Sequence, residues 1–320
     1  MISLDFELHW GVRDHHSTTS YGPNLLGVWD VVPRLLAMFE RHGVRATWAT
    51  VGFLMAENRD ELLECLPSLR PRYANPRLDP YADLDGFGSD ERDDPYHFAP
   101  SLVHMVAATP GQEVATHTFS HFYALEPTIS IDAFAADLDA ALALAARRQI
   151  AITSIVFPRN QVMAAALHIC RERGLTAYRG TERARYQAPC AGPHAPWPAR
   201  ALRLLDAYVP LGSHHVAQPS VVEGMVNVPS SRFLRPWRGA IAALEPLRLQ
   251  RILAGMSSAA RKGGVFHLWW HPHNFGLDPD ENLRVLDCVL RHYGRLRDTQ
   301  GFRSATMRDV ADEHLAPTAA

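Results

Sequence analysis

Cysteine is scarce: four residues in 320, Cys65, Cys170, Cys190 and Cys288, widely separated and with no Cys-x-x-Cys spacing. That argues against a thiolate metal cage or a disulfide framework. Three of the four fall on predicted helix faces, where a free thiol behaves as a small hydrophobe. No apolar run reaches the roughly 18 to 20 residues that cross a bilayer, so no membrane insertion is expected. An excess of one charge is missing as well. The formal charge of -2, from 32 basic and 34 acidic residues, offers no global attraction to nucleic acid or to anionic membranes. No leader precedes the first candidate strand, which starts at residue 2, and this points to the cytoplasm. Low-complexity tracts and internal repeats are absent too.

What is present is a chain able to bury a large core, with 47% hydrophobic residues. Apolar runs alternate with helical periodicity from end to end, the pattern of a parallel α/β architecture. Asp30 is a candidate cap for a helix reaching His42, with Val31, Leu35 and Met38 on one face and Gly43 as its stop. Ser130 is a candidate cap for a second helix, whose Phe134, Leu138, Ala141, Leu142 and Ala145 form one stripe. Strands are expected at residues 3–8, 45–51, 152–157, 175–179, 224–228 and 264–271. Two segments break the rhythm, 67–98 and 180–222, both rich in Pro and Arg and too long for ordinary connections. They read as insertions that wall a pocket, and Tyr73, Tyr81 and Tyr96 in the first suit recognition of a polar ring.

The chemistry is concentrated at strand ends, where parallel α/β folds keep their active sites. His117-Thr118-Phe119-Ser120-His121 places two imidazoles four residues apart, on one side of a helical turn and close enough to share a metal ion. Alone this is weak evidence. Random placement of 17 His yields about 0.9 such pairs per chain, and His267/His271 is a second example. The pair gains meaning from Asp5 and Glu7, two apart on a short apolar strand, whose burial requires compensation that a cation would provide. Arg159 follows the apolar strand 152–157, and His271 ends the strand 264–271, with His273 and Asn274 just beyond. Trp10, Trp48, Trp269 and Trp270 are candidates for an apolar wall, with plain core as the competing reading. The cluster Arg232, Arg235 and Arg238 suits either a phosphate or uronate, or a solvated loop.

In this order, Asp5/Glu7, His117-Thr118-x-x-His121, Pro158-Arg159 and His271 resemble the motifs of the polysaccharide deacetylase superfamily, over residues 2 to about 310. The common adjacent Asp-Asp is replaced by Asp-Phe-Glu, and the usual Arg-x-Pro by Pro158-Arg159. The resemblance implies a single domain over 1–316, a distorted (β/α)7 barrel with insertions at about 67–98 and 180–222. It also implies one divalent metal ion held by Glu7, His117 and His121, with zinc first and iron, cobalt, nickel or manganese open. By the same resemblance Asp5 is the catalytic base, Arg159 its orienting cation and His271 the general acid, while His273, Asn274 and Trp270 are expected to touch substrate. The expected reaction is removal of an N-acyl group, acetyl first, from an amino sugar or its nucleotide- or lipid-linked form. The motif wording looks most like a branch tied to bacterial surface-polysaccharide gene clusters. Alternatives are a metal-independent cyclic-amide hydrolase of the allantoinase type, a non-catalytic sugar-binding protein, and a phosphoesterase. For the last, no second ligand set for a two-metal site is visible. Within the site, Asp5 competes with Glu7 as the metal ligand, and His267 and His273 compete with His271 for the acid role.

Overall fold

The structure, a computed structural model, describes residues 1–82, 84–182, 184–191, 196–212 and 214–316. Its centre is a nine-stranded sheet: β1 (Ile2–Phe6), β2 (Ala46–Thr50), β3 (Gln112–Thr116), β4 (Ser154–Ile155), β5 (Ala177–Tyr178), β6 (Ser220–Val222), β7 (Met225–Asn227), β8 (Arg232–Phe233) and β9 (Leu268–Trp270). The order is β6-β7-β5-β4-β3-β2-β1-β9-β8. Every pairing is parallel except the β6–β7 hairpin.

The sheet curls because one stretch serves both of its edges. Val228 N–H donates to Tyr178 O and Ser230 N–H to Gly180 O, on the β5 side. Two residues further on, Arg232 N–H donates to His267 O and Leu234 N–H to Trp269 O, on the β9 side. β7 and β8 are thus two halves of one stave, and with β6 set aside as the antiparallel partner of β7 the parallel staves number seven. This is the distorted barrel expected from the sequence.

Helices cover the outside. The helix Val28–His42 buries Val31, Val32, Leu35, Leu36 and Phe39 on one face, each worth about 1.5–3 kcal/mol of transfer free energy. It ends where Gly43 adopts φ 65°, a conformation that costs glycine nothing. Asp30 does not cap it; the helix starts at Val28, and Asp30 lies in its first turn. Ser130 does cap Ile131–Arg147, its side chain accepting from Ala133 N–H. The expected strand at 264–271 shrinks to Leu268–Trp270, with Val265 held only by an isolated bridge to Ala217. Among the described residues, no helix is long and apolar enough to cross a membrane, and all four cysteines are free thiols.

The two long segments behave differently. Residues 180–222 supply Glu182, Gln187, Pro189, Cys190, Arg203 and Ala207 to the main cavity. None of the described residues of 67–98 reaches it. Tyr73 OH accepts from Tyr123 N–H, Tyr81 OH donates to Asp137, and His97 O accepts from the Trp10 indole. The segment therefore buttresses the loops behind the site, which corrects the expectation that it walls the pocket. Tyr73 and Tyr81 spend their hydroxyls on internal hydrogen bonds, and neither they nor Tyr96 line the cavity.

Candidate active site

The parallel strands end at a cavity of about 380 Å³ lined by Asp5, Glu7, His117, His121, Arg159, Trp269 and His271, among others. β1 delivers the carboxylates. Asp5 is its penultimate residue, and Glu7 follows its last, both almost fully buried. Space for the Glu7 carboxylate exists because residue 11 is glycine: a Cβ there would land on the Glu7 carboxyl group.

His117 leaves β3 with its N–H donating to Thr50 O and its Nδ1 bonded to Val156 O at 2.7 Å. Nδ1 is then the protonated nitrogen, and Nε2 keeps its lone pair for the site. The segment from His117 to His121 is not a helical turn, contrary to the sequence reading. Thr118 (φ 65°) and His121 (φ 59°) are left-handed, a cost of order 1–3 kcal/mol each. Side chains hold this path in place of a helical ladder. Thr118 Oγ1 donates to His117 O and accepts from Phe122 N–H, while Asp137 accepts from Phe119 N–H, Ser120 Oγ and Tyr81 OH. Gly52 completes the brace, donating its N–H to Thr118 O where a side chain would strike the Phe119 backbone.

The result is convergence. Glu7 Oε2 lies 3.1 Å from His121 Nε2 and 3.3 Å from His117 Nε2, and Glu7 Oε1 lies 3.4 Å from His271 Nε2. Burial alone would raise the Glu7 pKa, but the neighbouring imidazoles outweigh it and hold the carboxyl well below its usual range. Burial pulls His121 down to about 4, leaving a neutral ring. Two neutral-capable imidazole nitrogens and one carboxylate oxygen, all within 4.8 Å of one another, match the donor chemistry of a divalent ion of the zinc type. A second group, Glu7, His271 and His273, shares the same carboxylate.

Asp5 is placed differently. Arg179, fully buried after β5, donates to its two oxygens at 2.6 and 2.7 Å and to Ser3 Oγ at 3.0 Å. Asn160 Oδ1 accepts from the same guanidinium, and the Trp269 ring lies against it at 4.3 Å. Burial raises the Asp5 pKa, Arg179 and His117 lower it, and the net direction is down. The cation that orients Asp5 is therefore Arg179. Arg159, assigned that role from the sequence, instead donates to Asp14 at 2.6 Å and sits over the Tyr123 ring at 4.2 Å, on the cavity wall. It turns away because Arg159 and Asn160 both adopt positive φ, so the chain leaves β4 in a tight bend that points Asn160 at Arg179.

Among His117, His121, His271 and His273, His271 is the most accessible, with 22% of its side chain exposed. Its Nε2 faces Glu7 and, at 3.7 Å, Asp5. Asn274 Nδ2 donates to His271 Nδ1 at 3.1 Å, and Tyr21 OH donates to Asn274 Oδ1 at 3.5 Å. This chain of bonds makes Nδ1 the acceptor and leaves the proton on Nε2, facing the site. His273 is buried beneath His271, the two rings stacked 5.0 Å apart, and burial lowers its pKa to about 3. His273 and Asn274 support His271 from behind and do not line the cavity. Trp270 does not either. It is fully buried against Phe39 and Phe275, because alternation along β9 sends 268 and 270 outward to the helices and 269 and 271 inward. The cavity aromatic is Trp269. His267 is a buried residue hydrogen-bonded to Ser3 Oγ at 2.8 Å.

The residues missed in the sequence are Arg179, Gly11 and Asp137. Only Arg179 carried a signal there: it ends an apolar strand, as Arg159 does.

No protein-family model matches the chain, and no curated protein does. Solved structures match over nearly its full length. A protein assigned as a polysaccharide deacetylase from Mycobacterium smegmatis superposes with a TM-score of 0.60 at 12% identity, covering 98% of this chain and 89% of its own. A GH57-type branching enzyme from Pyrococcus horikoshii gives 0.51 at 13% identity over 99% and 70%. A 4-alpha-glucanotransferase from Thermococcus litoralis gives 0.50 at 10% over 99% and 38%. The chain thus has the barrel fold of polysaccharide deacetylases, a fold also found in enzymes of α-glucan chemistry. At such identities the likeness concerns the fold, and function has to be argued from the site.

Proposed function

We propose that the protein is a metal-dependent hydrolase that removes an N-acyl group, acetyl first among candidates, from an amino sugar. The observation that carries this reading is the meeting of Glu7, His117 and His121 around one point, beside an Arg179-bound Asp5 and a proton-bearing His271, at the mouth of the barrel. Glu7, His117 and His121 would hold a divalent ion there, zinc first, with iron, cobalt, nickel and manganese compatible with the same donors. Such an ion supplies Lewis acidity toward the acyl carbonyl and the attacking water.

The chain does the rest. Asp5, kept ionised by Arg179, takes a proton from water as its oxygen bonds to the acyl carbon. As the C–N bond breaks, the nitrogen takes the Nε2 proton of His271 and the proton held by Asp5, 3.7 Å from that ring nitrogen, replaces it, so that a carboxylic acid and a free amine leave and both side chains regain their starting states. Trp269, on the cavity wall, offers a flat apolar surface to a sugar ring.

Glycoside chemistry, which the α-glucan enzymes of the same fold suggest, requires one carboxyl group held protonated as an acid. Asp5 and Glu7 are both pulled the other way, and the proton-bearing group is an imidazole. Deacylation fits that arrangement better. Surface-polysaccharide assembly is the setting implied by the motif wording.

The test is a screen of N-acetyl and N-formyl amino sugars, free, uronic and nucleotide-linked, scored by released acetate or formate before and after chelation. Chelator-sensitive release restored by divalent metal supports the reading. Release that is indifferent to chelation points to the metal-independent cyclic-amide class, and absence of release across the screen sinks the reading.

A further inference from the structure

Beyond the carboxylates and imidazoles the cavity continues to a wall that the proposed chemistry leaves unused. Arg203, from the helix Trp197–Asp206, and Arg232 and Arg235, from the barrel-closing stretch, line it together with Glu182. Their cationic charge is poorly matched. The Arg203 guanidinium donates to the carbonyls of Tyr186 and Ala188, at 2.6 and 3.0 Å, and to no carboxylate among the described residues. Arg232 is buried, donates to Asp206 O and to the Asp206 carboxylate, and keeps its Nε–H without an acceptor. Asp206 is already shared with Arg251 and His215. Arg235 forms no ion pair among the described residues, and its charged neighbours include the cations Arg203, Arg238 and Arg248. Among the described residues, four guanidiniums (203, 232, 235 and 251) thus face two carboxylates, Asp206 and Glu182.

Gathering cations in such an excess, Arg232 and Arg251 buried and Arg203 and Arg235 half-buried, is costly unless an anion completes the set. We propose that this wall binds a phosphoryl group carried by the substrate, so that the protein acts on a phosphate-linked acylamino sugar, a glycosyl phosphate or diphosphate. The proposal rests on the deacylase reading, with the acyl group at the carboxylate–imidazole end of the cavity and the phosphoryl group at the arginine end. Arginine suits the task, because its planar fork presents paired N–H groups to the oxygens of a phosphate. Several converging forks favour an anion with more than one charge over a single carboxylate. The phosphoryl group has two chemical sources, a nucleotide or an isoprenoid carrier.

Calorimetric titration of the purified full-length protein with inorganic pyrophosphate, uridine diphosphate, farnesyl diphosphate and glucuronate tests this without requiring turnover. Saturable binding of at least one diphosphate is expected, weaker at high salt, and the preference between uridine and farnesyl diphosphate identifies the carrier. Arg235→Ala should weaken that binding by about tenfold or more, the loss typical of a charge-assisted hydrogen bond, and Arg235→Lys by less. Should Arg235→Ala fail to fold, Arg203→Ala reads the same wall. The proposal is overturned if no diphosphate binds, if the folded variant binds as the wild type does, or if glucuronate binds more tightly than every diphosphate. Diphosphate binding without acyl release would leave this subsite standing and remove the deacylase reading. Acyl release from neutral sugars without diphosphate binding would do the reverse.

Discussion

Arg179 grips Asp5 through two parallel N–H···O bonds of 2.6 and 2.7 Å, with neither side chain open to solvent. A buried pair of this geometry is strongly destabilising to break from one side, about 3–5 kcal/mol, because the surviving charge is left alone. Arg179→Met should therefore lower the urea midpoint substantially and abolish turnover. Asp5→Asn, which preserves shape and one acceptor, should keep its metal and lose about 10²- to 10⁴-fold in turnover. Glu7→Gln should lose metal. If Asp5→Asn sheds the ion while Glu7→Gln keeps it, the two carboxylates have exchanged roles.

Gly11 offers a test that leaves the fold alone. The atom a Cβ would strike is the far end of a flexible side chain, so Gly11→Ala should fold with a near-normal Tm and displace the Glu7 carboxylate. Metal affinity and activity should fall together. Unchanged metal affinity would mean that Glu7 can be held elsewhere and still serve.

Asp137 makes the brace behind the imidazole loop sensitive to pH. Burial raises its pKa to about 6 against the pull of its hydrogen bonds, from an ordinary carboxyl value of 3.8. The folded state then binds this proton more tightly than the unfolded state. The corresponding stability is fully present below about pH 4 and is lost as pH rises through about 6, on the order of 3 kcal/mol in all. Asp137→Asn removes that term. The stability difference, wild type minus variant, measured by urea unfolding between pH 4 and pH 8, should decline with pH. A flat difference would place the Asp137 titration outside this range.

His271 has its proton turned toward the site by Asn274 and Tyr21. An amide needs its leaving nitrogen protonated, whereas an activated ester does not. His271→Ala should abolish amide cleavage and spare slow hydrolysis of an activated acetate ester. Asn274→Leu should cost part of the amide rate by freeing the ring. Equal loss on ester and amide, accompanied by loss of metal, would make His271 a ligand.

Much of this site was legible in the sequence because its members sit at the ends of apolar runs. Asp5, Glu7, His117, His121 and His271 each close or follow a strand, and a parallel barrel gathers such ends at one mouth. What could not be read was which way a side chain turns once the strand stops. Arg159 and Arg179 both follow apolar strands. Only the positive φ angles at 159 and 160 send the first to Asp14 and leave the second for Asp5. Trp269 and Trp270 differ by a single step of alternation, and the strand is too short for the pattern to fix its parity. Gly11 and Asp137 act through contacts with no local signature. The segments 67–98 and 180–222 look alike in composition, yet the first, which follows β2, braces the loops and the second, which follows β5, walls the cavity.

The central claim is that Glu7, His117 and His121 together hold one divalent ion. Elemental analysis of the purified wild type beside His117→Ala and His121→Ala, each equilibrated with the same limiting zinc and then desalted, tests it most directly. The account predicts close to one ion per wild-type chain and most of it missing from both folded variants. Full occupancy in either variant, or a wild type that takes up none, would contradict it.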